Sequence, residues 1–129
     1  ENRRRHSELG VHSGMVSDGI AELIDAGVIT GARKEIDTGL VVTGAALGSA
    51  TLYARIPSLP IEFRPASYTH APETLARLKS LVSINSAVQV DLTGQVDAET
   101  RRGQYVGAVG GQSDFSRAAS SSGARSGGA

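Results

Sequence analysis

The chain has no cysteine and no tryptophan, one methionine, two phenylalanines and three tyrosines. Without cysteine there is no disulfide framework, no zinc–thiolate site and no cysteine nucleophile. A reducing, cytoplasmic setting is the expectation that follows. No apolar run is long enough to span a bilayer, and Glu1-Asn2-Arg3-Arg4-Arg5 lacks the apolar stretch of a secretory signal. Charge of one sign is also missing: 13 basic residues balance 13 acidic ones. An electrostatic binder of nucleic acid or of a membrane surface needs a basic excess, so neither partner is expected. The one basic cluster, Arg3-Arg4-Arg5, reads as a solvated element end. Aromatic poverty argues against a β-sandwich, whose strands favour aromatic residues.

What the chain does have is glycine, 16 residues of it, together with Val, Ile, Leu and Ala in 129 residues. That suits one domain of α/β type with many tight turns. Leu9-Gly10-Val11-His12 predicts a short strand entering a turn. Ser17 or Asp18 is placed to cap a following helix. Val16, Ile20, Leu23 and Ile24 form its buried stripe, and Gly27 stands where a left-handed C-terminal cap is wanted. Residues 40–46 predict a strand buried on both faces. Residues 52–56 predict a helical turn stopped by Pro57, and Ile61-Glu62-Phe63 a strand. Pro72 opens a second helix, with Leu75, Leu78 and Leu81 on one face.

Residues 82–92 give the strongest strand pattern. Val82, Ile84, Val88, Val90 and Leu92 alternate with Ser83, Asn85, Gln89 and Asp91. The polar face borders either a cleft or plain water, and the pattern does not separate the two. A glycine-rich turn at 107–111 follows, then a short helix carrying Phe115, Ala118 and Ala119. From Ser120 on the chain holds no core-forming residue and reads as a disordered tail, which divides it into 1–119 and 120–129.

Glycine-rich turns ahead of helices hold phosphates or oxyanions, because bare backbone N–H groups can approach a ligand closely. Alone the 107–111 loop is a weak signal, and a plain tight turn explains it better. His6, His12 and His70 match no metal spacing, so no metal site is expected. No Gly-x-Ser-x-Gly nucleophile turn occurs. Asp18 fits helix capping better than acid catalysis.

Five segments, in order, resemble one family. They are Leu9-Gly10-Val11-His12-Ser13-Gly14-Met15-Val16-Ser17-Asp18-Gly19, Ala26-Gly27-Val28-Ile29-Thr30, Phe63-Arg64-Pro65-Ala66-Ser67-Tyr68-Thr69, the 84–96 run Ile84-Asn85-Ser86-Ala87-Val88-Gln89-Val90-Asp91-Leu92-Thr93-Gly94-Gln95-Val96, and the 107–115 run Gly107-Ala108-Val109-Gly110-Gly111-Gln112-Ser113-Asp114-Phe115. Together they resemble the C-terminal domain of the acetyl-CoA hydrolase/transferase family, a branch of the class I CoA-transferases that includes enzymes of the 4-hydroxybutyrate/acetate type.

The resemblance implies an open α/β sheet, mixed or mostly parallel, with flanking helices, here incomplete at both ends. It implies an upstream domain that completes the active site, and assembly into a homo-oligomer. The implied substrates are an acyl-CoA and a small carboxylic acid, with coenzyme A as substrate and not as a resident cofactor. The family's chemistry is covalent: a glutamate attacks the thioester, and a glutamyl-CoA thioester follows by way of an anhydride.

The resemblance places that glutamate at Gly14, which has no carboxylate. Glu8 lacks the Ser-Asp-Gly continuation and is not its substitute. Gly110 falls at the implied oxyanion hole, and Asn85, Gly107, Gly110, Gly111 and Gln112 at the implied CoA site. Transferase or hydrolase is the first expectation. A non-catalytic CoA-binding module or an inert truncated product is the alternative that Gly14 raises.

Overall fold

The structure is a computed structural model that describes residues 7–107 and 110–122. The Arg3-Arg4-Arg5 cluster, His6, Ala108, Val109 and the tail from Gly123 lie outside the described residues.

The first half is two consecutive βαβ units. Strand β1 (His12–Val16) leads into helix α1 (Asp18–Asp25), strand β2 (Val41–Ala46), helix α2 (Ala50–Arg55), a 3₁₀ turn (Ile56–Ser58) and strand β3 (Ile61–Phe63). The three strands form one parallel sheet in the order β1-β2-β3. Its register pairs Ser13 with Thr43 and Thr43 with Phe63. β2 is central, and Val41, Val42 and Thr43 are buried, as the apolar run predicts for a strand covered on both faces. β1 begins at His12 and continues through Gly14 to Val16, so the segment expected to turn after His12 is strand. Leu9 makes only an isolated bridge to Ile29. A glycine in mid-strand hides the period-2 pattern by which a strand is recognised.

α1 carries the expected stripe: Ile20, Leu23 and Ile24 pack on the cluster of Val16, Ile29 and Val41. It ends in a Schellman cap. Gly27 has φ +67°, its N–H donates to Ile24 O at 2.9 Å, and the Val28 N–H donates to Leu23 O at 3.0 Å. Its start differs from expectation. Ser17 occupies the N-cap position but its side chain caps nothing. The Asp18 carboxylate accepts instead from Ser49 N–H at 3.0 Å and from Ser49 Oγ at 2.5 Å. These bonds to Ser49 hold Asp18 below the usual carboxylate range. Ser49 in turn caps α2 by accepting from Leu52 N–H at 3.2 Å. Asp18 therefore ties the two βαβ units together.

Beyond β3 come two single turns of helix, α3 (Ala66–Thr69) and α4 (Pro72–Leu75), and later α5 (Gln112–Ser121). α5 packs back on α4 through Phe115, which joins Ile36, Leu75 and Leu78 in a second cluster, with Leu81 and Ala118 against it. Burying Phe115 in this way contributes about 1.5–3 kcal/mol. α5 continues through Ser120 and Ser121, two residues into the segment expected to be disordered.

Lys34 is buried. Its Nζ donates to Leu40 O at 2.8 Å and Val11 O at 3.2 Å, joining the approach to β1 to the approach to β2. Desolvation lowers its pKa.

Residues 82–92 are not one strand. Only β4 (Gln89–Val90) is regular, paired antiparallel with β5 (Val96–Asp97), and a second short hairpin joins β6 (Thr100–Arg101) to β7 (Gln104–Tyr105). Val82, Ile84, Val90 and Leu92 are all exposed. The alternation encodes a face to be covered, and nothing among the described residues covers it; side-chain pattern alone does not hold a strand without a partner. Among the described residues no helix is long and apolar enough to cross a membrane.

Candidate active site

The parallel sheet sets the geometry. β1 carries Gly14 toward the carboxyl ends of the strands, the region where open parallel sheets bind ligands. β3 delivers α3 to the same region. α3 ends at His70, whose backbone N–H donates to Ala66 O at 3.0 Å. α5 returns from the far end of the chain and places Gly111 at its N-cap.

These elements meet at the His70 imidazole. A β-carbon on Gly14 would lie 3.2 Å from both Cε1 and Nε2 of the ring. A β-carbon on Gly111 would overlap Nε2 and Cδ2 outright, and would stand 3.1 Å from Phe115 Cε2. The Phe115 ring meets His70 edge-on, centroids 5.1 Å apart. The Thr69 hydroxyl, fully buried, stands 2.8 Å from His70 Nδ1 and 3.5 Å from Pro65 O.

His12 closes the cluster from below. Its Nε2 lies 3.0 Å from Thr69 O. A carbonyl only accepts, so Nε2 carries the proton and Nδ1 the lone pair. Nδ1 is buried, without a hydrogen-bond partner among the described residues. Burial, with the nearby positive charge of Lys34 and the His70 ring, depresses its pKa against the opposing pull of Thr69 O and Asp37. Tyr68 packs on His12 with centroids 6.2 Å apart, and its hydroxyl donates to Asp37 Oδ2 at 2.8 Å. That bond raises the tyrosine pKa, so Tyr68 stays a neutral donor.

A groove of about 250 Å³ opens beside His70, bounded by Leu75, Ala76, Asp114, Arg117 and Ala118 between α4 and α5. A second hollow, of about 320 Å³, lies in the β4–β5 hairpin around Asp91 and Asp97.

The residues singled out from sequence separate into two groups. Gly14 and Gly111 both adjoin His70, and Gln112 follows as the first residue of α5. Gly110 is exposed, with open space where a side chain would be. Asn85 is exposed, and its amide donates to Ser83 Oγ at 2.7 Å within its own segment. The Gly107 N–H and that of Val106 donate to Glu99 O, at 3.3 and 2.8 Å, which makes Gly107 the end of the β6–β7 hairpin. His70, Thr69, His12 and Phe115 were not singled out as site residues. The one available signal was that His70 directly follows the Phe63-Arg64-Pro65-Ala66-Ser67-Tyr68-Thr69 segment. Among the described residues, no three His, Asp or Glu side chains gather as a metal site would require.

A parallel sheet with a glycine-flanked imidazole at its carboxyl edge is a general enzyme architecture, and comparison with known proteins narrows it. Residues 48–127 match the acetyl-CoA hydrolase/transferase C-terminal domain family. The chain is 39% identical over 117 residues to a 4-hydroxybutyrate coenzyme A transferase of Clostridium kluyveri, covering 90% of the chain and 27% of that protein. It is 38% identical over 109 residues to a butyryl-CoA:acetate CoA-transferase of Anaerostipes caccae, covering 84% of the chain and 24% of that protein. The crystal structure of RipA from Yersinia pestis superposes with a TM-score of 0.80 at 36% identity, covering 89% of the chain and 26% of RipA. The chain belongs to the acetyl-CoA hydrolase/transferase family and has its α/β fold. It spans about a quarter of the length of the relatives it matches.

Proposed function

We propose that this chain is the part of an acyl-CoA-processing enzyme that presents one wall of the active site, acting on the thioester of a short acyl-CoA with CoA transfer to a carboxylic acid, or hydrolysis, as the outcome. The remaining walls belong to polypeptide outside these 129 residues, and assembly into a homo-oligomer fits the same reading. Coenzyme A enters as substrate. Gly110 and Gly111 supply backbone N–H groups toward the developing oxyanion, and Gln112 and Asn85 contact the CoA ester. The absence of cysteine fits a cytoplasmic enzyme.

One observation carries the reading. The two segments that the family resemblance assigns to the site, Gly14 on β1 and the glycine turn before α5, lie far apart in sequence yet close on the same side chain, His70.

Gly14 favours a second reading, a CoA-binding unit without covalent chemistry. The two separate in one experiment on the protein expressed from its full reading frame. Radiolabelled acetyl-CoA is incubated with acetate, butyrate or succinate, and CoA esters and free CoA are resolved by chromatography. A new CoA ester or released CoA supports the enzyme; saturable CoA binding without turnover supports the second reading. Neither binding nor turnover refutes both.

A further inference from the structure

We propose that His70 supplies the chemistry for which position 14 has no side chain. Its Nε2 acts as general base toward water, so the reaction at this site is thioester hydrolysis and not CoA transfer through a glutamyl intermediate. This rests on the acyl-CoA reading above.

Three observations carry it. First, the ring occupies the space in question: a side chain at Gly14 begins 3.2 Å from Cε1 and Nε2, so a glutamate there and the present His70 ring compete for one volume. Second, the atom approached from both glycines is Nε2. A side chain at Gly14 or at Gly111 would cover it, and among the described residues it has no hydrogen-bond partner. Two glycines, one on β1 and one ahead of α5, thus pack close to one nitrogen, and the groove of about 250 Å³ opens beside the same ring. Third, the other nitrogen has a partner. The Thr69 hydroxyl lies 2.8 Å from His70 Nδ1 and 3.5 Å from Pro65 O, so the ring can donate its Nδ1–H to that hydroxyl. That tautomer leaves the lone pair on Nε2. The edge-on Phe115 ring holds the plane of the imidazole.

The step balances without a further reactant. Nε2 takes a proton from water as the water oxygen adds to the thioester carbonyl carbon. The tetrahedral intermediate collapses with cleavage of the C–S bond, and the CoA sulfur leaves with the proton held on Nε2. The products are the free carboxylic acid and the CoA thiol, and the imidazole is neutral again. General base catalysis of this kind is worth about 10²–10⁴ in rate.

The test uses the protein expressed from its full reading frame, with acetyl-CoA as substrate, thiol release as readout and CoA affinity measured separately by calorimetry. Wild type is expected to release CoA without any acceptor acid and to form no covalent adduct by mass spectrometry. His70→Gln should lose about 100-fold or more in kcat and bind CoA as wild type does. Thr69→Val keeps the ring but frees its tautomer, and should lower kcat with unchanged KM. The ¹⁵N spectrum of wild type should show the protonated nitrogen of neutral His70 to be Nδ1, a readout that needs no variant to fold. An unchanged rate in folded His70→Gln overturns the proposal. So does a glutamyl-CoA or acyl-histidine adduct in wild type, or a neutral ring protonated on Nε2. Intact CoA binding with no hydrolysis by wild type overturns this proposal alone, whereas absence of CoA binding overturns the acyl-CoA reading with it.

Discussion

The His70 imidazole stands 3.2 Å from the point where a β-carbon on Gly14 would be. The two positions therefore form one packing unit, although β1 carries one and α3 the other. A Gly14→Glu substitution has to push the ring aside by a few tenths of an ångström, against its bond to Thr69 and its edge contact with Phe115. The expected cost is about 1–3 kcal/mol, the range for inserting side-chain atoms into a packed region. Gly14→Glu combined with His70→Ala should cost less than the sum of the two single changes, with a coupling energy of about 0.5–3 kcal/mol. Denaturant unfolding of the four proteins of the cycle measures it. Strict additivity would mean that the ring and the position-14 side chain do not share space.

The two neighbouring glycines ahead of α5 should respond differently to the same change. Around Gly110 there is open space, and its φ is not in the left-handed region. Gly110→Ala is therefore expected to stay within about 0.5 kcal/mol of wild type. At Gly111 the added methyl overlaps His70 and presses on Phe115, which should cost about 1–3 kcal/mol. Pairing Gly111→Ala with His70→Ala should recover part of that loss. Equal melting temperatures for Gly110→Ala and Gly111→Ala would contradict this placement of α5.

Much of the fold was legible because local signals agreed with tertiary demands. The apolar stripe of α1 and its Gly27 cap, the buried run of β2, and the stop at Pro57 each have a local cause that packing reinforces. The 82–92 segment shows the limit of such signals. Its alternation is the cleanest in the chain, yet Ile84 and Leu92 are exposed and only Gln89–Val90 pair. Alternation states which side of a strand is to be buried, not what buries it. Gly14 misled in the opposite direction: lacking a side chain, it broke the pattern of a strand that the β1–β2 ladder nonetheless forms. The cluster at His70 was illegible for a different reason. Sequence spacing tests histidines against metal motifs, whereas His70 matters through its nearness to two glycines, and that nearness exists only once β3 has delivered α3 and α5 has folded back. Thr69 and His12 lie inside segments that resemble the family, but nothing in those segments says that one contacts a ring and the other holds a carbonyl.

His12 makes stability depend on pH in a direction that follows from its two nitrogens. Nε2–H is committed to Thr69 O at 3.0 Å, and among the described residues the buried Nδ1 has no hydrogen-bond partner. Protonating Nδ1 in the folded protein would bury an unmatched N–H and a charge beside Lys34 and His70, with Asp37 the opposing charge, and desolvation is the largest of these effects. The folded-state pKa is thus below the ordinary histidine value of 6.5 that the unfolded chain keeps. In the interval between them the unfolded state binds more protons than the folded state, so stability rises with pH and falls on acidification. The contribution is fully present above 6.5 and is lost progressively as pH drops below it. Asp18, Asp91 and Asp97, whose pKa values are lowered from 3.8, titrate in a more acidic window and do not produce this slope. Denaturant unfolding at pH 7.5 and at pH 5.5 should show a lower midpoint at the acidic value. His12→Gln, which retains a donor for Thr69 O but does not titrate, should be less stable at pH 7.5 and should show a smaller difference between the two pH values than wild type. An equal pH difference in both proteins would place the titrating group elsewhere and refute the neutral, Nδ1-buried assignment of His12.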